Sequence, residues 1–239
     1  GAVLMDGATD AQSVPIVIGI LLLGLVMGAI NGTLITVSKV PDIVVTLAML
    51  FVWQGVALLI LNAPGGAIAP WLRNLITGSF GPDWLPRAVI FLAVVTAVIW
   101  APIRRSKLGL RLYAIGSDPL AAFRSGVPVG QTRILAYALC GLFAALGGLS
   151  VSMSTRIGEP IPGPYLLASV AAVVLGGVVL GGGRGGLIGP ILAVFILRTV
   201  RMDLTLLSVD PNVAAIIEGS IMVAVVMFGA VLATRGRKA

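Results

Sequence analysis

The residue most capable of chemistry within the apolar part of this chain is Glu218. It is the one acidic residue well inside a predicted membrane span, seven residues after Pro211. A carboxylate in that setting is costly, so it is usually paired with a cation or used in an ion pathway. Arg198 and Arg201, near the outer end of the preceding predicted span, are the cations expected to pair with it. The sequence therefore predicts an intramembrane ion pair, with proton coupling as the alternative.

The residue types present do not support enzymatic catalysis. The chain has no histidine, which removes the commonest general base and metal ligand. Its single cysteine, Cys140, lies in an apolar segment and is expected to be a small buried side chain. The serines and acids form no Ser-His-Asp or metal-water arrangement. We expect no catalytic residue, no metal site and no cofactor held by this chain.

A loop of thirty residues, 104–133, carries six of the sixteen cations and one acid, Asp118. Asp118 is a predicted N-cap, Pro119 the first residue of a short helix, and Gly126 its stop signal. A capped helix between membrane spans either contacts a partner or is a solvated connector that only orients the chain. The charge pattern alone leaves both interpretations open.

The composition is that of a polytopic helical membrane protein. Hydrophobic residues make up 58% of the chain and charged residues 10%, and the mean hydropathy is +1.09. Apolar stretches long enough to cross a bilayer recur along the chain. The net charge of +7 comes from cations beside these stretches, which indicates lipid headgroups and orientation rather than nucleic acid. We predict one transmembrane domain over 1–239.

Seven full spans are predicted, and their order determines the orientation of the chain. They cover 15–37, 42–61, 86–103, 133–153, 166–181, 187–203 and 212–233. If the first begins outside, eleven cations lie inside and five outside, as the positive-inside rule requires. The loop 104–132 and the C-terminus are then cytoplasmic. The loop 62–85 is external, and its sequence allows a short interfacial helix near 68–77.

Two glycine patterns have different expected roles. Gly24, Gly28 and Gly32 share one face of the first full span, where they allow another helix to approach closely. We expect this face to pack against a helix rather than bind a ligand. The stretch 174–189 contains a formal G-x-G-x-x-G, but no Lys-Ser/Thr and no βαβ unit accompany it. It is expected to be a tight turn between two spans.

Four polar side chains of the first two full spans are candidates for lining a pathway: Asn31, Thr33, Thr46 and Gln54. Thr46 and Gln54 are eight residues apart and so lie close to one helical face. The alternative is that these groups form hydrogen bonds between helices, worth roughly 0.6–2 kcal/mol each.

Several blocks of this sequence resemble ribose-type ABC importer permeases. They are KVPDIVVTLAM at 39–49, YAIGSDPLAAFRSGV at 113–127, AAVVLGG at 171–177, GGRG at 182–185 and NGT at 31–33. They occur in the family's order over essentially the whole chain. The resemblance implies an all-α permease of about ten spans, each about twenty residues long. About seven are then present here, and we expect an N-terminal portion to be missing.

The resemblance implies the transmembrane subunit of a bacterial ABC importer in the inner membrane, carrying a small sugar such as a pentose or hexose. Its implied partners are a second permease subunit, identical or similar, two cytoplasmic ATP-binding subunits that hold ATP and magnesium, and a periplasmic sugar-binding protein. Branched-chain amino acids and nucleosides are alternative solutes. An ion-coupled secondary transporter that uses Glu218 is a rival from another class.

The resemblance also assigns a role to the capped helix of the basic loop. The family's E-A-A-x-x-x-G pattern corresponds to Leu120, Ala121, Ala122 and Gly126, so Leu120 stands where the family has an acid. The implied ATPase-coupling residues are Asp118, Leu120, Ala121, Ala122, Arg124, Ser125 and Gly126. We therefore predict a short cytoplasmic helix that docks into a groove of an ATP-binding subunit.

Overall fold

A computed structural model describes residues 2–5, 10–78, 86–161, 163, 165–179, 181–210, 213, 216–217, 219–221, 223–224 and 227. Helices dominate these residues. They are α1 (Ala2–Met5), α2 (Asp10–Ser38), α3 (Asp42–Ile60), α4 (Pro70–Ile76), α5 (Arg87–Val95), α6 (Ala101–Arg105), α7 (Lys107–Ser117), α8 (Pro119–Arg124), α9 (Val129–Thr155), α10 (Tyr165–Leu175) and α11 (Ile188–Leu206). A π-helical segment, Thr96–Trp100, joins α5 to α6.

Four helical stretches in the described part of the chain are long and apolar enough to cross a membrane. They are Gln12–Ser38, Asp42–Ile60, Arg87–Arg105 and Val129–Thr155, which match the first four predicted spans to within four residues. The all-α, multi-pass membrane class is confirmed. The described residues contain no strand beyond an isolated antiparallel bridge between Gly65 and Gly158.

The exposure of α3 shows why its surroundings must be apolar. The helix is described throughout its 19 residues and has no buried residue. Phe51 is 71% exposed and Leu59 is 85% exposed. Such a surface is stable in hydrocarbon or against another apolar helix, and it would be costly in water.

The fifth predicted span, 166–181, is wrong in its length. The helix there, α10, has 11 residues and ends at Leu175. Gly177 has a φ of +75°, a left-handed conformation that glycine adopts without steric cost and that ends the helix. The sixth predicted span corresponds to α11, which extends to Leu206. Most of the last predicted span, 212–233, lies outside the described residues.

The chain forms two compact units. The first contains the described residues of 1–112 and 126–162, and the second contains those of 113–125 and 163–239. In the first unit, α4 packs with α2 and α9 around a core whose buried residues are Met5, Ala69, Leu72, Leu149 and Met153. A short helix is present near 68–77, where the sequence allows one, as α4.

The second unit contains the end of α7 together with α8, α10 and α11. Its core is built from small side chains where α10 and α11 meet, namely Ala171, Ala172 and Ala193, together with Leu197. Alanine lets the two helix backbones approach, which is how helices pack when lipid removes most of the hydrophobic driving force.

Candidate functional site

The helix predicted in the basic loop is present as α8, and its ends are formed by the residues expected to form them. The Asp118 carboxylate accepts hydrogen bonds from the backbone N–H groups of Leu120 at 2.8 Å and Ala121 at 3.0 Å. Pro119 is the first helical residue. Gly126, just past the C-cap, has a φ of +81°. The cap satisfies donors that a helix start leaves open, so α8 has a defined beginning and end.

The exposed surface of α8 is apolar at two positions and basic at a third. Leu120 is 58% exposed and Phe123 is 67% exposed. They are three residues apart and lie on one face of the helix, with Arg124 exposed beside them. Ala122 is buried. This surface suits an apolar groove with an acidic rim. Phe123 was absent from the predicted contact residues, although its spacing from Leu120 was visible in the sequence.

Ser125, one of the predicted coupling residues, is the C-cap of α8. Its hydroxyl donates a hydrogen bond to the backbone carbonyl of Ala121 at 2.9 Å. Its backbone N–H donates to the same carbonyl at 3.0 Å. These bonds satisfy a carbonyl that the end of a helix would leave without a partner. Ser125 therefore stabilises the end of the helix from within.

A cavity of about 650 Å³ lies in the first unit between α2, α3 and α9. This volume is within the range of small-molecule sites, about 300–1,000 Å³. Most of its wall is apolar, and polar or aromatic groups lie at the following positions: Asn31, Thr46, Trp53, Tyr137, Ser152 and Glu159. A mostly apolar wall with a few polar groups is typical of a site that orients a small solute.

Only two of the four predicted pathway residues lie in the described wall of this cavity. Asn31 and Thr46 line the cavity, whereas Thr33 and Gln54 are not among the described residues of its wall. The Asn31 side-chain carbonyl accepts a hydrogen bond from the Trp53 indole N–H at 3.2 Å, which joins α2 to α3. The hydroxyl of Thr33 donates to the Ala29 carbonyl of its own helix at 2.8 Å. This bond lies within α2, so the described contacts of Thr33 include neither the cavity nor the expected hydrogen bond between helices.

Cys140 does not have the environment predicted for it. Its side chain is exposed rather than buried, and it contributes to the wall of the cavity. The next residue, Gly141, packs against Gly24 of α2, while Cys140 itself faces the cavity. The apolar sequence around Cys140 predicted helix packing and could not reveal the cavity.

The glycine-spaced face of α2 is a close helix contact in the structure. A Cβ atom at Gly24 would lie 2.7 Å from the carbonyl oxygen of Gly141, and one at Gly32 would lie 2.9 Å from the Cα of Ile134. A Cβ atom at Gly28 would overlap the carbonyl oxygen of Tyr137. All three partners belong to α9. Any larger residue would force the two backbones apart, because the neighbouring atoms are main-chain atoms or Cβ atoms fixed to the main chain.

A polar cluster that the sequence analysis missed joins the starts of α3 and α9. Arg133 Nη2 contacts the two carboxylate oxygens of Asp42 at 2.6 and 2.7 Å. The Tyr137 hydroxyl donates to the same carboxylate at 2.9 Å. Arg133 and Tyr137 are four residues apart, so they share a helix face. That spacing was a usable signal, but Asp42 lies 91 residues before Arg133.

We expect Asp42→Asn to weaken the attachment of α3 to α9 without unfolding the protein. The side chains of Arg133 and Asp42 are 38% and 44% exposed, so their attraction is partly screened. A double-mutant cycle with Arg133→Gln should give a coupling energy of about 0.5–1 kcal/mol in thermal denaturation of the purified full-length protein. Tyr137→Phe, which keeps both charges, serves as the control and should cost less. Additive effects of Asp42→Asn and Arg133→Gln would contradict the ion pair.

The predicted intramembrane ion pair involves a residue outside the described part of the chain, Glu218. Arg198 and Arg201 are both exposed on α11. The pairing of Glu218 with either arginine stays a prediction.

Comparison with known proteins gives concordant matches. The family model for permease components of branched-chain amino acid transport systems matches residues 2–226. The ribose import permease protein RbsC of Bacillus subtilis (strain 168) is 32% identical over 201 residues, covering 82% of this chain and 62% of that protein. RbsC of Escherichia coli (strain K12) is 30% identical over 211 residues, covering 87% and 66%.

A third similar protein is named for a different sugar. The galactose/methyl galactoside import permease protein MglC of Haemophilus influenzae is 32% identical over 223 residues, covering 88% of this chain and 65% of that protein. The chain spans about two thirds of the length of these three curated relatives. No solved structure gives a match. The resemblance to ribose-type permeases drawn from the sequence is confirmed by these relatives.

Proposed function

Because this chain belongs to the family of branched-chain amino acid transport system permease components, we propose that it is the pathway-forming part of a bacterial ABC importer for a small sugar. The observation that carries the proposal is the similarity, over more than four fifths of the chain, to permeases named for ribose and galactose import. The role is transport, and ATP hydrolysis belongs to partner subunits. The protein then lies in the inner membrane with its C-terminus in the cytoplasm.

The cavity between α2, α3 and α9 is the proposed part of the solute pathway. Asn31, Thr46 and Tyr137 offer hydrogen-bonding groups, and Trp53 adds an aromatic surface. Sugar hydroxyls need such partners, while the apolar remainder of the wall keeps water from competing. The indole N–H of Trp53 already bonds to Asn31. A sugar would therefore meet side chains that are held in place before it arrives.

The proposed energy input enters through α8. Two ATP-binding subunits, which hold ATP and magnesium, would close on nucleotide. Because Leu120 and Phe123 of α8 would lie in a groove of one of these subunits, the closure would move α8. The permease, paired with a second copy or a similar subunit, would shift from an inward-open to an outward-open state. A periplasmic binding protein would deliver the sugar from the other side.

Uptake by the complete importer in proteoliposomes tests this function. We expect labelled ribose or galactose to enter only when ATP is present on the side of the membrane that carries the ATP-binding subunits. Uptake should continue after a proton ionophore collapses the pH gradient. Uptake driven by a proton gradient without ATP would instead support a secondary transporter that uses Glu218. ATP-dependent uptake of leucine or a nucleoside, with neither sugar carried, would assign the permease to another solute.

A further inference from the structure

The glycine-rich turn after α10 packs its backbone directly against the end of α7. A Cβ atom at Gly116 would lie 3.1 Å from the carbonyl carbon of Gly182 and from the Cα of Gly183. A Cβ atom at Gly183 would lie 2.7 Å from the Cα of Ser117. All of these residues belong to the second compact unit. The space that side chains would need is therefore filled by another part of the main chain.

A hydrogen bond strengthens this contact one helical turn earlier. The Tyr113 hydroxyl donates to the backbone carbonyl of Gly185 at 3.0 Å. Tyr113 and Gly116 are three residues apart, so they present one face of α7 to the turn. The turn is also braced internally, since the Val179 N–H donates to the Arg184 carbonyl at 3.2 Å. The contact thus combines main-chain packing with a polar attachment.

The contact is continuous with α8 on one side. The Asp118 N–H donates to the Ala114 carbonyl at 3.1 Å, which is the last turn of α7. The carboxylate of the same residue caps α8. Asp118 is thus shared by both helices, so a displacement of α8 is passed to the end of α7 without a flexible linker.

On its other side, the turn joins α10 to α11, and these two helices also touch each other. A Cβ atom at Gly176 would lie 2.5 Å from the carbonyl carbon of Gly189, so the end of α10 touches the main chain at the start of α11. Contacts between main-chain atoms have no rotamers that could absorb a displacement, and packed protein interiors are hardly compressible. A push on the turn therefore reaches both helices.

We propose that residues 182–185 of this turn are the seat, that is, the contact through which α8 moves α10 and α11, with Gly116 and Gly183 as its positioning residues. The inference rests on the proposed function, in which α8 docks on an ATP-binding subunit. It also explains the formal G-x-G-x-x-G pattern. The space that a Cβ atom of Gly183 would fill is occupied by α7. The glycine at this position therefore allows a helix to approach closely and does not bind a phosphate.

Gly116→Ala tests the seat. Alanine is favoured over glycine inside a helix, so any loss of function must come from the close contact of this position with Gly182 and Gly183. Gly181→Ala is the matched control in the same turn, where no atom of the described residues lies within 4 Å of the added Cβ. The complete importer is reconstituted, and sugar uptake and ATP hydrolysis are measured together. We expect Gly116→Ala to lower the sugar carried per ATP at least about tenfold, since overfilling a packed contact displaces the backbone. Gly181→Ala should match the unchanged protein.

Tyr113→Phe keeps the test decisive if Gly116→Ala fails to assemble with its partners. It removes the bond to Gly185 but preserves the packing, and it should lower the sugar carried per ATP about two- to fivefold with the complex intact. An unchanged ratio in Tyr113→Phe, or in an assembled Gly116→Ala complex, would overturn the seat. Failure of the unchanged protein to take up sugar with ATP would instead refute the proposed function.

Discussion

Replacing Gly126 with valine is expected to uncouple ATP hydrolysis from sugar uptake. Gly126 has a φ of +81°, a conformation that costs an L-residue roughly 1–2 kcal/mol and suits a β-branched residue least. No atom of the described residues lies within 4 Å of a Cβ at this position. The effect must therefore come from the direction of the chain after α8 and not from a clash. Uptake by the reconstituted importer should fall at least about tenfold while ATP hydrolysis continues.

Gly126→Asn is the control for this prediction. Asparagine adopts left-handed backbone more readily than any β-branched residue, so the end of α8 should keep its direction. We expect the asparagine variant to retain most of its uptake. If the valine variant transports as well as the asparagine variant, the coupling role of α8 is wrong.

The features of α8 could be predicted from the sequence because they are local. Asp118, Pro119 and Gly126 act on backbone atoms within a few residues, and each has one dominant structural effect. The first four spans are similarly local, since their length and hydropathy alone match the bilayer. The resemblance to ribose-type permeases then supplied a role that the residues by themselves left open.

The end of α10 shows where local signals mislead. Residues 171–180 continue the apolar pattern, and a window that averages hydropathy extends the span through them. The helix nevertheless ends at Leu175, because Gly176 and Gly177 are followed by a turn that is held by packing against Gly116 and Ser117. Those partners lie some sixty residues earlier, at a distance that no periodicity connects.

The cavity and the polar cluster were hidden for the same reason. Asp42, Arg133 and Tyr137 meet only once α3 and α9 are in place, and the wall of the cavity draws on α2, α3 and α9 together. Polar residues in spans were recognised as candidates for either pathway or packing. The sequence does not separate these roles: Asn31 lines the cavity and bonds to α3, whereas Thr33 on the same helix bonds to its own main chain.

Substituting Gly28 with alanine should destabilise the protein more than any other single methyl group added to α2. A Cβ atom there overlaps the carbonyl oxygen of Tyr137, a main-chain atom that cannot rotate away. Overfilling a packed contact typically costs about 1–3 kcal/mol. The contact of α2 with α9 is the largest between described helices, so separating the two backbones affects much of the first unit. The cavity should also change shape, because Gly28 lines it.

Gly19→Ala is the matched comparison for Gly28→Ala. Gly19 lies on the same helix, and no atom of the described residues is within 4 Å of a Cβ there. Since alanine is the better helix former by about 0.8–1 kcal/mol, Gly19→Ala should leave the thermal midpoint unchanged or raise it. Gly28→Ala should lower the midpoint of the purified full-length protein in detergent by several degrees. Equal midpoints for the two variants would mean that the glycine-spaced face of α2 does not hold α9, and that the wall of the cavity depends on some other contact.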